Sequence, residues 1–168
     1  MTTTDHDGRL AAFGNQLVAV HVWLREELAA LADGVDAYLS GGGERPRELR
    51  VHCLTFCSVL TRHHTEEDGE VFGAVAARFP ELAPVLDELR ADHVMVSDTL
   101  DRIKALVEGL DEGTDPGEAL RVGRELDTLS ALLETHFLYE EKKIVEALNA
   151  LGAGILPDDV IARVLPGP

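Results

Sequence analysis

The fold class is decided by the segment from Leu10 to Val35, which reads LAAFGNQLVAVHVWLREELAALADGV. Its large apolar side chains recur every three or four residues, at Leu10, Phe13, Leu17, Val20, Leu24, Leu28, Leu31 and Val35. This spacing is typical of one face of an α-helix. The same periodicity returns in three later segments, at about 46–75, 82–107 and 122–151. None of them shows the alternating pattern of a β-strand.

Four amphipathic helices joined by short turns predict an all-α protein, an antiparallel up-down-up-down four-helix bundle. Pro46 stands where the second helix begins, a position that favours proline. The segment from Pro157 to Leu165 predicts a short C-terminal helix. We therefore expect one domain over residues 1–168, with its bundle core at about 10–150 and a C-terminal extension at 151–168.

The charge balance excludes several classes of partner. The chain has 168 residues, with 15 Lys and Arg against 31 Asp and Glu, for a net charge of -16. This charge argues against binding to nucleic acid or to an anionic membrane surface.

The N-terminus lacks the pattern of a signal peptide, so a cytoplasmic location is expected. Cys53 and Cys57 lie four residues apart in a helical pattern, which predicts two core thiols in a reducing compartment.

Polar side chains interrupt each apolar face at one place. On each helix, one histidine lies within about 50° of the centre of the apolar face, measured around the helix axis. These histidines are His21, His63, His93 and His136. Glu67 and Glu140 follow the second and fourth of them by four residues, so each glutamate shares a face with its histidine. In an antiparallel bundle, all four histidines would lie roughly 18–24 Å from one end. The sequence thus predicts a buried polar cluster at one level.

A metal cluster explains these buried groups. An ionised carboxylate is costly to bury unless it is paired or coordinates a metal, and the only cations near the apolar faces, Arg25 and Arg62, lie at their edges. Imidazole and carboxylate are ligands for iron, manganese or zinc rather than calcium. Four histidines and two glutamates exceed the needs of one tetrahedral site. They fit two metals bridged by the carboxylates, with a position left open.

The order H…HxxxE…H…HxxxE resembles that of a hemerythrin-like (HHE) cation-binding domain of the bacterial single-domain type, over about residues 10–150. The resemblance is carried by His21, by HHTEED at 63–68, by ADH at 91–93 and by HFLYEE at 136–141. It implies a non-haem centre of two irons with an oxo or hydroxo bridge, for which manganese or zinc could substitute. By resemblance, Glu67 and Glu140 would bridge the metals, and the terminal ligands would be His21, His63, His93 and His136.

Two positions depart from the oxygen-carrying members of that family. Ser97 stands where they have a second histidine on the third helix. Glu140 comes four residues after the last histidine, where they have an aspartate at five. The resemblance therefore implies one metal that lacks a histidine and is more open than an oxygen carrier's. His64, Tyr139 or a water could complete it.

Other polar residues near the motifs have two interpretations each. The surplus acidic residues of the runs 66–68 and 140–141, which are Glu66, Asp68 and Glu141, are either solvated or orient the ligands through hydrogen bonds. His52 lies eleven residues before His63, about 16 Å along a helix, which is too far for the same cluster. It is either a hydrogen-bonded core residue or part of an access path.

Three functional hypotheses follow. The first is an oxidoreductase that reacts with small oxygen or nitrogen species, by peroxide disproportionation or by reduction of peroxide with nitric oxide. The second is a protein that binds or senses O2 or NO, or stores iron, without turnover. The third is a metal-free helical interaction module. No nucleotide or flavin motif is present, so an enzyme would obtain electrons from its substrate or from a partner.

Overall fold

The computed structural model describes residues 13–41, 46–109 and 116–151, and nearly all of them are helical. The elements are α1 (Phe13–Leu39), α2 (Pro46–Glu66), a π-helical turn (Glu67–Val71), α3 (Phe72–Arg78), a 3-10 turn (Pro80–Leu82), α4 (Ala83–Glu108) and α5 (Pro116–Ala150). No strand occurs among the described residues. The all-α class is confirmed, and these helices are consistent with a bundle. Their up-down-up-down order stays a prediction, as does the single domain. The short helix expected at Pro157–Leu165 lies outside the described residues.

The second predicted helix is interrupted where its polar motif lies. Helix α2 ends at Glu66, and the π-helical turn from Glu67 to Val71 leads directly into α3. A π-helical turn holds more residues than an α-helical turn, so it changes the direction in which the following side chains point. Such turns occur frequently at functional sites. In this chain, Glu67 and Val71 are the buried residues of the turn.

Contacts divide the chain into two compact units. The described residues of the first unit are 13–23, 62–93 and 135–151. Its apolar core consists of Phe13, Leu17, Val71, Phe72, Val75, Leu86, Leu89, Ile144, Ala147, Leu148 and Leu151. Burying one such large side chain is worth about 1.5–3 kcal/mol. These contacts hold together the helical segments that carry the motif residues.

The second unit contains described residues 24–41, 46–61, 94–109 and 116–134. Cys53 and Cys57 are both buried there, which confirms the prediction of two core thiols. Burial raises the pKa of Cys57 to about 11, so this thiol is protonated and unreactive at neutral pH. His52 is 30% exposed, and its Nε2 lies 3.0 Å from Oε2 of Glu27. It is therefore a hydrogen-bonded residue at the edge of this unit rather than a core histidine.

Within the described part of the chain, no helix combines the length and apolar character needed to cross a bilayer.

Gly14 on α1 lies in close contact with α5. Its N–H donates to Oδ1 of Asn149 at 2.8 Å, and an added Cβ would overlap the carbonyl oxygen of Val145. We expect Gly14→Ala to lower the free energy of unfolding by about 1–3 kcal/mol, the usual range for overpacking. The control is Gly73→Ala on α3, where a Cβ meets nothing within 4 Å. That change should stabilise by about 0.5–1 kcal/mol. Denaturant titration measures both, and equal effects would contradict the close approach.

Candidate metal centre

The first unit buries a set of ionisable side chains beside its apolar core. Each is at most 5% exposed, and they are His21, His63, His64, Glu67, His93, His136 and Glu140. All six residues singled out from the sequence are in this set, together with His64. Helix α1, the region from α2 through the π-helical turn, α4 and α5 each contribute to it. Ionisable residues are rarely fully buried without partners, so this cluster requires a chemical explanation.

The inner nitrogens of four histidines point toward the two glutamates. Glu67 Oε1 lies 3.1 Å from Nε2 of His63 and 3.8 Å from Nε2 of His93. Glu140 Oε2 lies 3.4 Å from Nε2 of His136 and 3.5 Å from Nε2 of His21. Each carboxylate therefore lies between histidines of two different helices.

The possible ligand atoms form two groups, and within each group they lie within 4.8 Å of one another. The first group contains His21, His63 and Glu67. The second contains His64, His93 and His136. Both donor sets suit a transition metal better than calcium or magnesium, which prefer oxygen ligands. Each glutamate contacts one histidine from each group, which is the arrangement needed to connect two metals.

Several buried atoms of this cluster have no hydrogen bond within the described ranges. They include both carboxylate oxygens of Glu67 and of Glu140, and Nε2 of His64. A buried polar atom without a partner costs about 1–3 kcal/mol. Cations placed among these atoms would satisfy them together. The residues present therefore fit a metal centre with imidazole and carboxylate ligands.

The electrostatics of the cluster show how strongly its groups interact. Burial, and then the neighbouring Glu140 carboxylate, raise the pKa of Glu67 well above its usual value. Burial opposes the charge of Glu140, but its interactions with Glu67, His136 and His21 outweigh it and hold the pKa of Glu140 well below the usual range. The pKa values of the two carboxyl groups are therefore shifted in opposite directions. Like charges in one buried site force this arrangement.

His64 and His136 are shifted in opposite directions. Burial lowers the pKa of His64 well below its usual value, and the positive charges of neighbouring histidines lower it further. His64 is therefore neutral at physiological pH, the form that binds a metal. Burial also lowers the pKa of His136, but interactions with Glu140 and Asp92 outweigh it and raise the pKa overall. Because its pKa is lowered, His64 is the one of these two rings that can bind a metal without first losing a proton.

The outer nitrogens of three histidines contact carboxylates at the edge of the cluster. Nδ1 of His21 lies 2.9 Å from Oε1 of Glu141. Nδ1 of His93 lies 2.7 Å from Oδ1 of Asp68. Nδ1 of His136 lies 3.1 Å from Oδ2 of Asp92. Asp68 and Glu141 therefore contact cluster histidines, one of the two roles that the sequence left open for them. Asp92 was not foreseen, although it directly precedes His93 in the chain.

The structure also distinguishes between His64 and Tyr139, the two side chains that could replace the histidine missing at Ser97. The ring of His64 stacks on that of His93, with centroids 3.8 Å apart. The hydroxyl of Tyr139 instead donates to the Glu88 carboxylate in a short hydrogen bond, and this bond raises the pKa of Tyr139. Ser97 is exposed. His64 is therefore the side chain placed to complete the second group. The sequence indicated only weakly that His64 points inward, because its position on the helix is about 60° away from the centre of the apolar face.

Comparison with known proteins gives one match. The model of the family described as "Hemerythrin HHE cation binding domain" matches residues 13–148, which include every residue of the cluster. No curated protein and no solved structure matches the chain.

Proposed function

The chain belongs to the hemerythrin HHE cation-binding family and is a metal-binding helical protein; on this basis, we propose that it holds two irons and reacts with small oxygen or nitrogen species. O2, H2O2 and NO are the ligands we consider. Manganese or zinc are the alternative metals, because they accept the same donors.

The observation that carries the proposal is the position of the two glutamates. Glu67 contacts His63 of the first ligand group and His93 of the second. Glu140 contacts His21 of the first group and His136 of the second. A carboxylate has two oxygens and can bind one metal through each. The donor set thus supports two metals bridged by both carboxylates.

The proposed ligand sets are unequal. One metal would be held by His21 and His63, and the other by His64, His93 and His136, with Glu67 and Glu140 shared between them. His64 then supplies the histidine that Ser97 cannot. The metal with fewer imidazoles is where we expect a small molecule to bind, because a reactive metal requires an open position.

Reactivity follows from the donor set and its surroundings. Two irons, when bound, supply the electron transfer and Lewis acidity that peroxide or nitric oxide chemistry needs. The ring of Phe137 stacks on His21 with centroids 3.9 Å apart, and Phe72 stacks on His93 at 5.7 Å. These aromatic walls restrict the centre to small molecules and limit water. The histidines would set the potential of the metals.

The test is the reaction of iron-loaded protein with H2O2, with and without NO. Oxygen release or peroxide consumption that continues over many turnovers per iron supports the enzyme, and Glu67→Ala should remove it. Binding of O2 or NO that is stoichiometric and reversible would instead support the sensor, carrier or reservoir. Protein from iron-supplied cells that contains no metal, and lacks near-ultraviolet absorption from bridged iron, would overturn the metal centre and support an interaction module.

A specific prediction concerns His64. Wild-type protein should bind about two metal ions per chain, and His64→Ala should bind about one under the same conditions, because the second group loses a third of its imidazoles. Thr65→Ala, at the adjacent exposed position of α2, is the matched control and should keep both ions. Metal analysis after gel filtration gives the ratio. An unchanged ratio in His64→Ala would show that His64 is not a ligand.

A further inference from the structure

We propose that Asp68, Asp92 and Glu141 are positioning residues that fix the orientation of the metal-binding histidines and strengthen metal binding. This inference rests on the proposed function. Its basis is the contact of each carboxylate with the outer nitrogen of one cluster histidine, at 2.7–3.1 Å.

The ring tautomer of a histidine determines which of its nitrogens can bind a metal. A neutral imidazole carries its proton on one nitrogen only. In His21, His93 and His136, the outer carboxylate accepts from Nδ1–H, so in the neutral form of each ring Nε2 keeps its lone pair for a metal. Nε2 of His93 and Nε2 of His136 lie 3.1 Å apart, on the inner side of the cluster. The same three Nε2 atoms face the carboxylates of Glu67 and Glu140. The outer carboxylates therefore select the tautomer that can bind a metal and add electron density to the ring.

The positions of the two aspartates in the chain connect different helices. Asp68 follows Glu67, but it orients His93 on α4. Asp92 precedes His93 on α4, but it orients His136 on α5. Each of these aspartates is thus adjacent in the sequence to one cluster residue and hydrogen-bonded to a cluster residue of a different helix.

Glu141 completes the pattern, because it follows Glu140 on α5 and orients His21 on α1. The cluster residues of the four helical segments are thereby connected in series. A rotation of α4 or of α5 would disturb two of these contacts at once. We expect this arrangement to hold the donor atoms close to the positions that a metal requires.

The outer carboxylates are also more exposed than the histidines that they contact. The side chains of Asp68 and Asp92 are 37% and 35% exposed, whereas those of the histidines they contact are 4% and 1% exposed. Glu141 is 19% exposed and His21 fully buried. Water reaches the outer carboxylates, so a negative charge costs less there than inside the cluster. Their position lets them act on the metal through the histidine without being desolvated themselves.

The experiment compares Asp92→Ala with Asp98→Ala, which removes the same charge from an exposed position of the same helix. Zn2+ affinity is measured by competition with a chromophoric chelator, and thermal unfolding of the metal-free proteins is measured alongside. We expect Asp92→Ala to weaken Zn2+ binding about 10–100-fold, the usual effect of removing such a partner. Asp98→Ala should stay within about twofold of wild type. Asp92→Asn keeps an acceptor oxygen and should recover part of the loss.

The outcomes are distinct. Equal Zn2+ affinities for Asp92→Ala and Asp98→Ala would overturn the inference and leave the metal centre intact. A lower unfolding temperature of Asp92→Ala with unchanged affinity would show a merely structural contact and would also overturn it. Wild-type protein that binds no Zn2+ or iron would overturn the proposed function and the inference with it.

Discussion

Glu67→Ala is expected to abolish binding of the metal pair. Glu67 belongs to the first ligand group and also contacts His93 of the second, so its loss affects both metals. We expect the iron content to fall from about two ions per chain to none that survives gel filtration, and the near-ultraviolet absorption to disappear. Metal analysis and absorption spectra of protein from iron-supplied cells measure both.

The matched control is Glu70→Ala, in the same π-helical turn. Glu70 is exposed, whereas Glu67 is fully buried, so the two variants remove the same charge from one short segment. Glu70→Ala should retain iron at the wild-type level. A Glu67→Ala protein that still binds two irons with the wild-type spectrum would rule out the proposed bridging role.

The same variant should behave differently when no metal is present. The burial that raises the pKa of Glu67 also makes this group unfavourable for folding unless a metal or proton compensates it. In chelator, Glu67→Ala should therefore be as stable as wild type or more stable. A marked loss of stability in chelator would mean that Glu67 serves the fold rather than a metal.

Removing the metal is expected to lower the unfolding temperature of wild-type protein substantially. In the proposed function, metal would bind the folded chain through ligands from four helical segments, and an unfolded chain does not hold these ligands together. Metal at 1,000 times its Kd stabilises the folded state by about 4 kcal/mol. For a chain of this length, that corresponds to about 8–16 °C. Scanning calorimetry of loaded and chelator-treated protein measures the shift.

Two comparisons make this result specific. Adding back Fe2+ without oxygen, or Zn2+, should restore the unfolding temperature, and Ca2+ should not, because calcium prefers oxygen ligands. Glu67→Ala should show no shift in any of these conditions. If loaded and chelator-treated wild-type proteins unfolded at the same temperature, the buried cluster would have to be stabilised by something other than a cation.

The helices were predictable because their signal is local. Apolar residues such as Leu17, Leu24 and Leu28 repeat with the helical period, and the structure places all three in a buried face of α1. The π-helical turn was not predicted, because its sequence, EDGEV, does not interrupt the apolar period. Its register is set by packing around Glu67 and Val71, the two buried residues of the turn.

The sequence by itself determined the helical class and the inward direction of His21, His63, His93, His136, Glu67 and Glu140. Each of these follows from the angle between a residue and the apolar face of its own helix. The inclusion of His64, the contact of Asp92 with His136, and the contact of Tyr139 with Glu88 were decided only by the tertiary structure. These contacts join different helices, so they depend on how one helix is rotated and shifted against another. The period of a single helix carries no information about that rotation.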